Sequence, residues 1–86
     1  MKVIKITAIW CSACLMMNKV WKKVLEKKNI ETVSLDLDLD EDEANKFSPG
    51  EVLPVFIFMN DNNEIKRIVG EHTEEELLKI IEEIGG

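Results

Sequence analysis

The chain has 86 residues, 45% of them hydrophobic and 33% charged, which is enough for one domain with a single core that buries roughly 60–65% of its unfolded surface. Seventeen acids against eleven Lys and Arg give a net charge of −6; with Trp21 the only aromatic among the basic residues, this balance argues against a nucleic-acid partner. No apolar run reaches the roughly 18 residues of a membrane span, and Lys2 and Lys5 interrupt any signal-peptide core, so no membrane association and a cytoplasmic location are expected.

Residues 3–9 read as a first strand with apolar side chains on both faces, as in a buried central strand. A helix is predicted from Cys11 to Lys28, where Met17, Val20, Trp21, Val24 and Leu25 recur at helical spacing; they form an apolar stripe that places Met16, Met17 and Trp21 in the core. Its lysines give residues 1–28 seven lysines against one acid, while residues 29–86 carry four cations against sixteen acids. A solvated face is the plain reading of Lys19, Lys22, Lys23, Lys27 and Lys28; a guide for an acidic partner surface is the sharper one. Thr32 to Asp38 alternates Val33, Leu35 and Leu37 with polar residues, an edge strand with one buried face.

Asp40 is expected to cap a short helix through Phe47, with Ala44 and Phe47 turned inward and Ser48-Pro49-Gly50 as its stop. The acids of 36–43 lack the glycine turn and terminal glutamate of a calcium loop, so capping accounts for them better than a cation does. Two strands, 55–59 and 64–69, flank the polar tetrad Asn60-Asp61-Asn62-Asn63 and form a hairpin. Gly70 breaks the chain, and Thr73 with Glu76 forms a capping box before a helix whose apolar face is Leu77, Leu78, Ile80, Ile81 and Ile84; Gly85-Gly86 is its stop. His72 lies just outside that cap and reads as a surface residue rather than a base.

Chemistry is concentrated at Trp10-Cys11-Ser12-Ala13-Cys14, where a strand leads into a helix. Peptide dipoles and free N–H groups at a helix start favour a thiolate over a thiol, and Cys14, nearly one turn on, can reach Cys11 to close a small disulfide ring. Three readings compete for such a pair. Zinc needs four Cys or His ligands, and only the distant His72 is available beyond the two cysteines, so no metal is expected. A structural disulfide closing so small a ring removes little unfolded-state entropy. A dithiol that cycles between reduced and oxidised forms is the third reading and the favoured one.

The predicted order is β-α-β-α-β-β-α, with a right-handed parallel crossover between the first two strands and an antiparallel hairpin between the last two. On this order and on the WCxxC run the chain resembles the thioredoxin family over essentially all its length, as one domain covering residues 1–86. The resemblance implies an α/β thioredoxin fold, a four-stranded mixed sheet with helices on both faces. Trp10 matches the tryptophan beside the dithiol, Cys11 the attacking cysteine and Cys14 the resolving one. Leu53-Pro54-Val55 resembles the family's cis-proline loop, where Leu53 would offer backbone groups to an extended substrate. An ordinary trans proline at a strand start is the plain alternative. Val69-Gly70 resembles the family's glycine turn.

Ser12-Ala13 replaces the family's usual Gly-Pro between the cysteines, a change in the dipeptide that tunes redox poise. Lys5 occupies the place of the family's buried aspartate, where a cation would favour thiolate and stabilise the dithiol if it lies near the sulfurs, or would snorkel past the sheet edge into water. Leu15 stands where a lysine is common and makes the rim more apolar; the Pro49-Gly50-Glu51 stretch is one residue longer than usual. The resemblance thus implies a protein thiol-disulfide oxidoreductase, monomeric and without a cofactor beyond its Cys11/Cys14 pair, acting on disulfide-containing proteins and recharged by an upstream reductase. A glutathione-linked reductase of the glutaredoxin type and a redox-sensing or binding module are the alternatives; the first lacks its CPYC motif and double-glycine turn.

Overall fold

A computed structural model describes residues 1–85; Gly86, half of the predicted C-terminal stop, lies outside the described residues. The elements follow the predicted order: β1 Lys2–Thr7, α1 Ser12–Lys27, β2 Glu31–Asp36, α2 Glu41–Asn45, β3 Val55–Asn60, β4 Asn63–Val69 and α3 Glu74–Glu83. Among the described residues they form one four-stranded sheet in the order β2-β1-β3-β4. β1 runs parallel to β2 and antiparallel to β3, and β3 runs antiparallel to β4. The central place of β1 explains why it is apolar on both faces, and β2 lies at an edge as its alternation implies.

Alternation along the strands sorts side chains to two layers. Val3, Phe56, Phe58 and Ile68 face α1 and α3, where they enclose Met17, Trp21, Val24, Leu77 and Ile81. Trp21 packs its ring 5.1 Å from Phe56 and, edge-on, 6.3 Å from Phe58, and its indole N–H donates to Thr32 Oγ1 at 3.0 Å, so this large buried side chain leaves no polar atom unpaired. Ile4, Ile6, Val55 and Ile57 face the other way and pack with Ala44 of α2, Leu53 and Cys14. The apolar stripe of α1 is narrower than predicted. Met16 is 56% exposed rather than core, because the buried line is Met17, Trp21 and Val24 and a residue one position away is turned about 100° off it.

Local signals are met in most places. Thr73 and Glu76 form the reciprocal capping box at 3.0 and 3.1 Å, and Gly85 follows the C-cap of α3 with φ +88°, the left-handed conformation that suits glycine after a helix. The hairpin turns through only Asp61 and Asn62, both with positive φ, the backbone form whose twist matches the flanking strands. Other details differ from prediction: β1 ends at Thr7 rather than at residue 9, and α2 ends at Asn45 rather than Phe47. β2 ends at Asp36 rather than Asp38, because the Asp36 carboxylate accepts from the amides of Asp38 and Leu39 at 2.8 and 3.0 Å and turns the chain. Asp40 stands at the N-cap of α2 but makes no cap bond; its carboxylate accepts instead from the Asp36 amide at 2.9 Å.

Candidate active site

The loop after β1 delivers the two cysteines to the start of α1. Cys11 is the N-cap residue, extended in backbone conformation, and its sulfur accepts from the Cys14 amide at 3.3 Å, so the sulfur takes the place that a serine or aspartate oxygen fills at an ordinary helix start. The Cys11 amide donates to the Ala8 carbonyl at 3.1 Å, which closes the loop before the helix. Cys11 is partly exposed, whereas Cys14 is 1% exposed and packs among Ile4, Ile6, Ala8 and Leu53. Burial is the main reason that the Cys14 thiol is pushed up to about 11, reinforced by its hydrogen bond with the Cys11 sulfur; the Lys5 charge acts in the opposite direction. Both cysteines are free thiols, so the geometry is that of the reduced pair.

Lys5 shares the β1 face of Val3, opposite Phe56 in the sheet register, and so projects toward α1. Partial burial lowers its ammonium from the ordinary lysine value, and the neighbouring Cys14 partly offsets this. Lys5 makes no hydrogen bond or ion pair with protein among the described residues. Lys5 is half-buried, and its positive charge opposes, as the smallest of the contributions, the upward push on the Cys14 thiol.

The remaining predicted residues surround the pair unevenly. Ser12 is exposed and opens α1, and Ala13 is half-buried. The Leu53–Pro54 peptide is cis, both side chains are buried, and Leu53 contributes to the packing around Cys14. Gly70 has φ +81°, donates its amide to the Pro54 carbonyl at 2.9 Å, and so ties the proline loop to the turn before α3. His72 stays clear of the dithiol: its amide donates to the Met17 sulfur at 3.4 Å and its ring lies 3.3 Å from the Gly70 carbonyl. No group of three potential metal ligands occurs among the described residues, and no helix there is long and apolar enough to cross a membrane.

Trp10 is 66% exposed, and its indole N–H donates to Asp38 Oδ2 at 3.0 Å. Sequence reasoning placed Asp38 on the polar side of a strand and did not connect it with the site. The usable signal was the spacing of Asp36, Asp38 and Asp40, which favours side-chain-to-backbone turns over a continued strand. Ile9, Leu15, Met16 and Val52 are also exposed, so the chain around the partly exposed Cys11 presents several apolar side chains to solvent.

A family model described as Thioredoxin matches residues 1–83. Thioredoxin H5 of Arabidopsis thaliana is 35% identical over 69 residues, covering 79% of this chain and 58% of the plant protein. An H-type thioredoxin of Brassica campestris is 30% identical over 81 residues, covering 92% and 64%; the chain therefore spans less than two thirds of the length of these curated relatives. Among solved structures, thioredoxin NaTrxh from Nicotiana alata superposes with a TM-score of 0.82 at 30% identity, covering 95% of this chain and 72% of that one. Thioredoxin-2, a component of malaria parasite protein secretion machinery, gives 0.84 at 28% identity, covering 95% and 82%. The parallel crossover, the cysteine-capped helix, the cis proline beside it and a family match over nearly every residue lead to one conclusion: this chain belongs to the thioredoxin family.

Proposed function

We propose that the chain is a thiol-disulfide oxidoreductase that reduces disulfides in partner proteins. The observation that carries this reading is the asymmetry of the pair, a partly exposed Cys11 at the N-cap of α1 in hydrogen-bond contact with a buried Cys14. Cys11 thiolate attacks one sulfur of the partner disulfide; a Cys11–partner bond forms as the partner S–S bond breaks, and the departing thiolate takes up a proton. Cys14 then loses its proton and attacks Cys11 Sγ, which releases the second partner thiol and leaves a Cys11–Cys14 disulfide. Two electrons pass from the dithiol to the partner, and a separate reductase returns them.

Each neighbouring residue has a part in this scheme. The high value of Cys14 keeps its proton in place until the mixed disulfide has formed, and the Lys5 field eases the proton's loss at that stage. Trp10, Ser12 and Ala13 flank the cysteines along the chain, Gly70 braces the proline loop through the Pro54 carbonyl, and the Leu53-Pro54 segment supplies backbone for an extended partner strand. No cofactor beyond the cysteine pair is needed. The chain works as a single monomeric domain over residues 1–86 in a reducing, cytoplasmic compartment, where an isolated pair of cysteines is kept as thiols.

Turnover on insulin with a dithiol reductant supplied tests the reading and separates it from a module that only binds or senses. Cys14→Ser should abolish turnover and accumulate a mixed disulfide through Cys11, whereas Cys11→Ser should accumulate none. Equal trapping by both variants would remove the order of attack and resolution.

A further inference from the structure

Along α1 from the dithiol, Ser12, Leu15, Met16, Lys19, Lys22 and Lys23 are all exposed, and their spacing by three and four lays them as one stripe down the outside of the helix. The stripe starts apolar and becomes cationic at Lys19. With a rise of about 1.5 Å per residue, Lys19 lies about 10 Å and Lys23 about 16 Å along the axis from Ser12. None of the three lysines forms an ion pair among the described residues, although the chain carries seventeen acids. Lys27, farther along, is paired with Glu74 of α3. Glu26, three and four residues beyond Lys23 and Lys22, is the one acid on this stretch of helix and lies at its far end from the dithiol, so the segment from Lys19 to Lys23 presents net positive charge to solvent.

The opposite sign gathers across the cysteines. Residues 36–43 contain six acids, and one of them, Asp38, holds the Trp10 indole beside Cys11. The apolar side chains exposed around Cys11 are thus bordered by cations on the α1 side and by carboxylates on the β2–α2 side. Apolar contact in such a surface supplies affinity, while the charges at its rim set the encounter rate and the orientation of the partner.

We propose that Lys19, Lys22 and Lys23 dock the acidic flank of a disulfide-bearing protein partner, so that carboxylates beside the disulfide select which partners are reduced and which way round they lie. The proposal rests on the oxidoreductase reading and adds the partner's surface chemistry to it. At about 3.3 Å per residue of extended chain, the 10 to 16 Å separation corresponds to acids roughly three to five residues from the attacked cysteine. Acids on the other side of the disulfide would meet the carboxylates of 36–43 and be repelled.

The test uses the reduced full chain with three disulfide peptides that differ only in carrying Asp, Lys or Asn at those flanking positions, with second-order reduction rates measured at low and high salt. The Asp peptide should react roughly tenfold faster than the Lys peptide at low ionic strength. That ratio should collapse toward one as salt shortens the Debye length from about 30 Å at 0.01 M to about 3 Å at 1 M. K19Q/K22Q/K23Q should remove the preference and K19E/K22E/K23E should invert it, both with an unchanged rate on the Asn peptide. Equal rates for the Asp and Lys peptides, or a preference that survives in the glutamine variant, would overturn the proposal. Failure to reduce even the Asn peptide would instead strike the oxidoreductase reading beneath it.

Discussion

On one face of the sheet, Trp21, Phe56, Phe58, Met17, Leu77 and Ile81 are fully buried beneath helices of 16 and 10 residues. On the other face, the five-residue α2 contributes Ala44 and is supplemented by loop residues such as Leu53 and the half-buried Phe47. The first face carries the Trp21 ring packed against both Phe56 and Phe58. The second face is thin, and the dithiol, the cis-proline loop and the Trp10–Asp38 contact all lie toward it. A heavily packed layer thus holds α1 in place, while Trp10, Cys11 and the loop from Asp36 to Asp40 lie at the exposed margin of the thinner one.

The largest expected effect tests that division directly. Trp21→Ala should cost about 3–5 kcal/mol in urea unfolding, through the cavity left against Phe56 and Phe58 and the loss of the bond to Thr32. Phe47→Ala, on the thin face, should cost about half as much or less, because its ring is only partly buried. Equal losses for the two would show that the faces share the stabilisation.

Next in size is the pH response of the reduced pair. With the Cys14 thiol near 11 in the fold and an ordinary value of 9.0, the folded state holds a proton that the unfolded chain gives up first. Stability from this group is therefore complete below pH 9 and is lost as pH rises through about 11. Urea midpoints of the reduced protein should fall over that window, and Cys14→Ala should remove this part of the slope. Alkylation with limiting iodoacetamide near neutral pH should modify Cys11 first, with Cys14 becoming reactive only as pH approaches its high value.

A smaller effect is expected at Lys5, which lies on the Val3 face of β1. Lys5→Met removes a charge that favours the Cys14 thiolate, so the resolving step should slow and the dithiol should become a stronger reductant. The potential should move to more negative values by about 30 mV or less, equivalent to roughly 1.4 kcal/mol for a two-electron couple. Redox titration against glutathione at matched pH and salt reads this shift, and identical potentials would confine Lys5 to a solvating role.

The smallest change is predicted for Asp38→Ala, which deletes the acceptor of the Trp10 indole. Stability should fall by about 0.5–1 kcal/mol, as for one exposed hydrogen bond. Iodide should quench the Trp10 fluorescence more readily, and the rate of Cys11 alkylation should change while Trp21 packing does not. An unaltered quenching profile would show that the indole is held by packing rather than by Asp38.

Much of this protein is written locally. Helical spacing in 17–24 and 77–81, period-two alternation in β2, the capping box of Thr73 and Glu76, and the polar hairpin turn are each short-range patterns with a direct physical cause, and the described structure contains all of them. The WCxxC run at a strand-to-helix junction likewise announces both its chemistry and its position, since a helix start is defined by a few consecutive residues. What sequence patterns left open depended on residues far apart in the chain. The exposure of Met16 was decided by which side of α1 faces the sheet, and the end of β2 by carboxylates competing for backbone amides. The Trp10–Asp38 bond spans 28 residues, and the field of Lys5 at Cys14 arises because β1 lies at the centre of the sheet beneath α1. Local propensity fixes which segments become strands and helices, but side-chain orientation and electrostatic neighbours are set only when those segments pack, because contact between distant residues has no signature in either one's own stretch of chain.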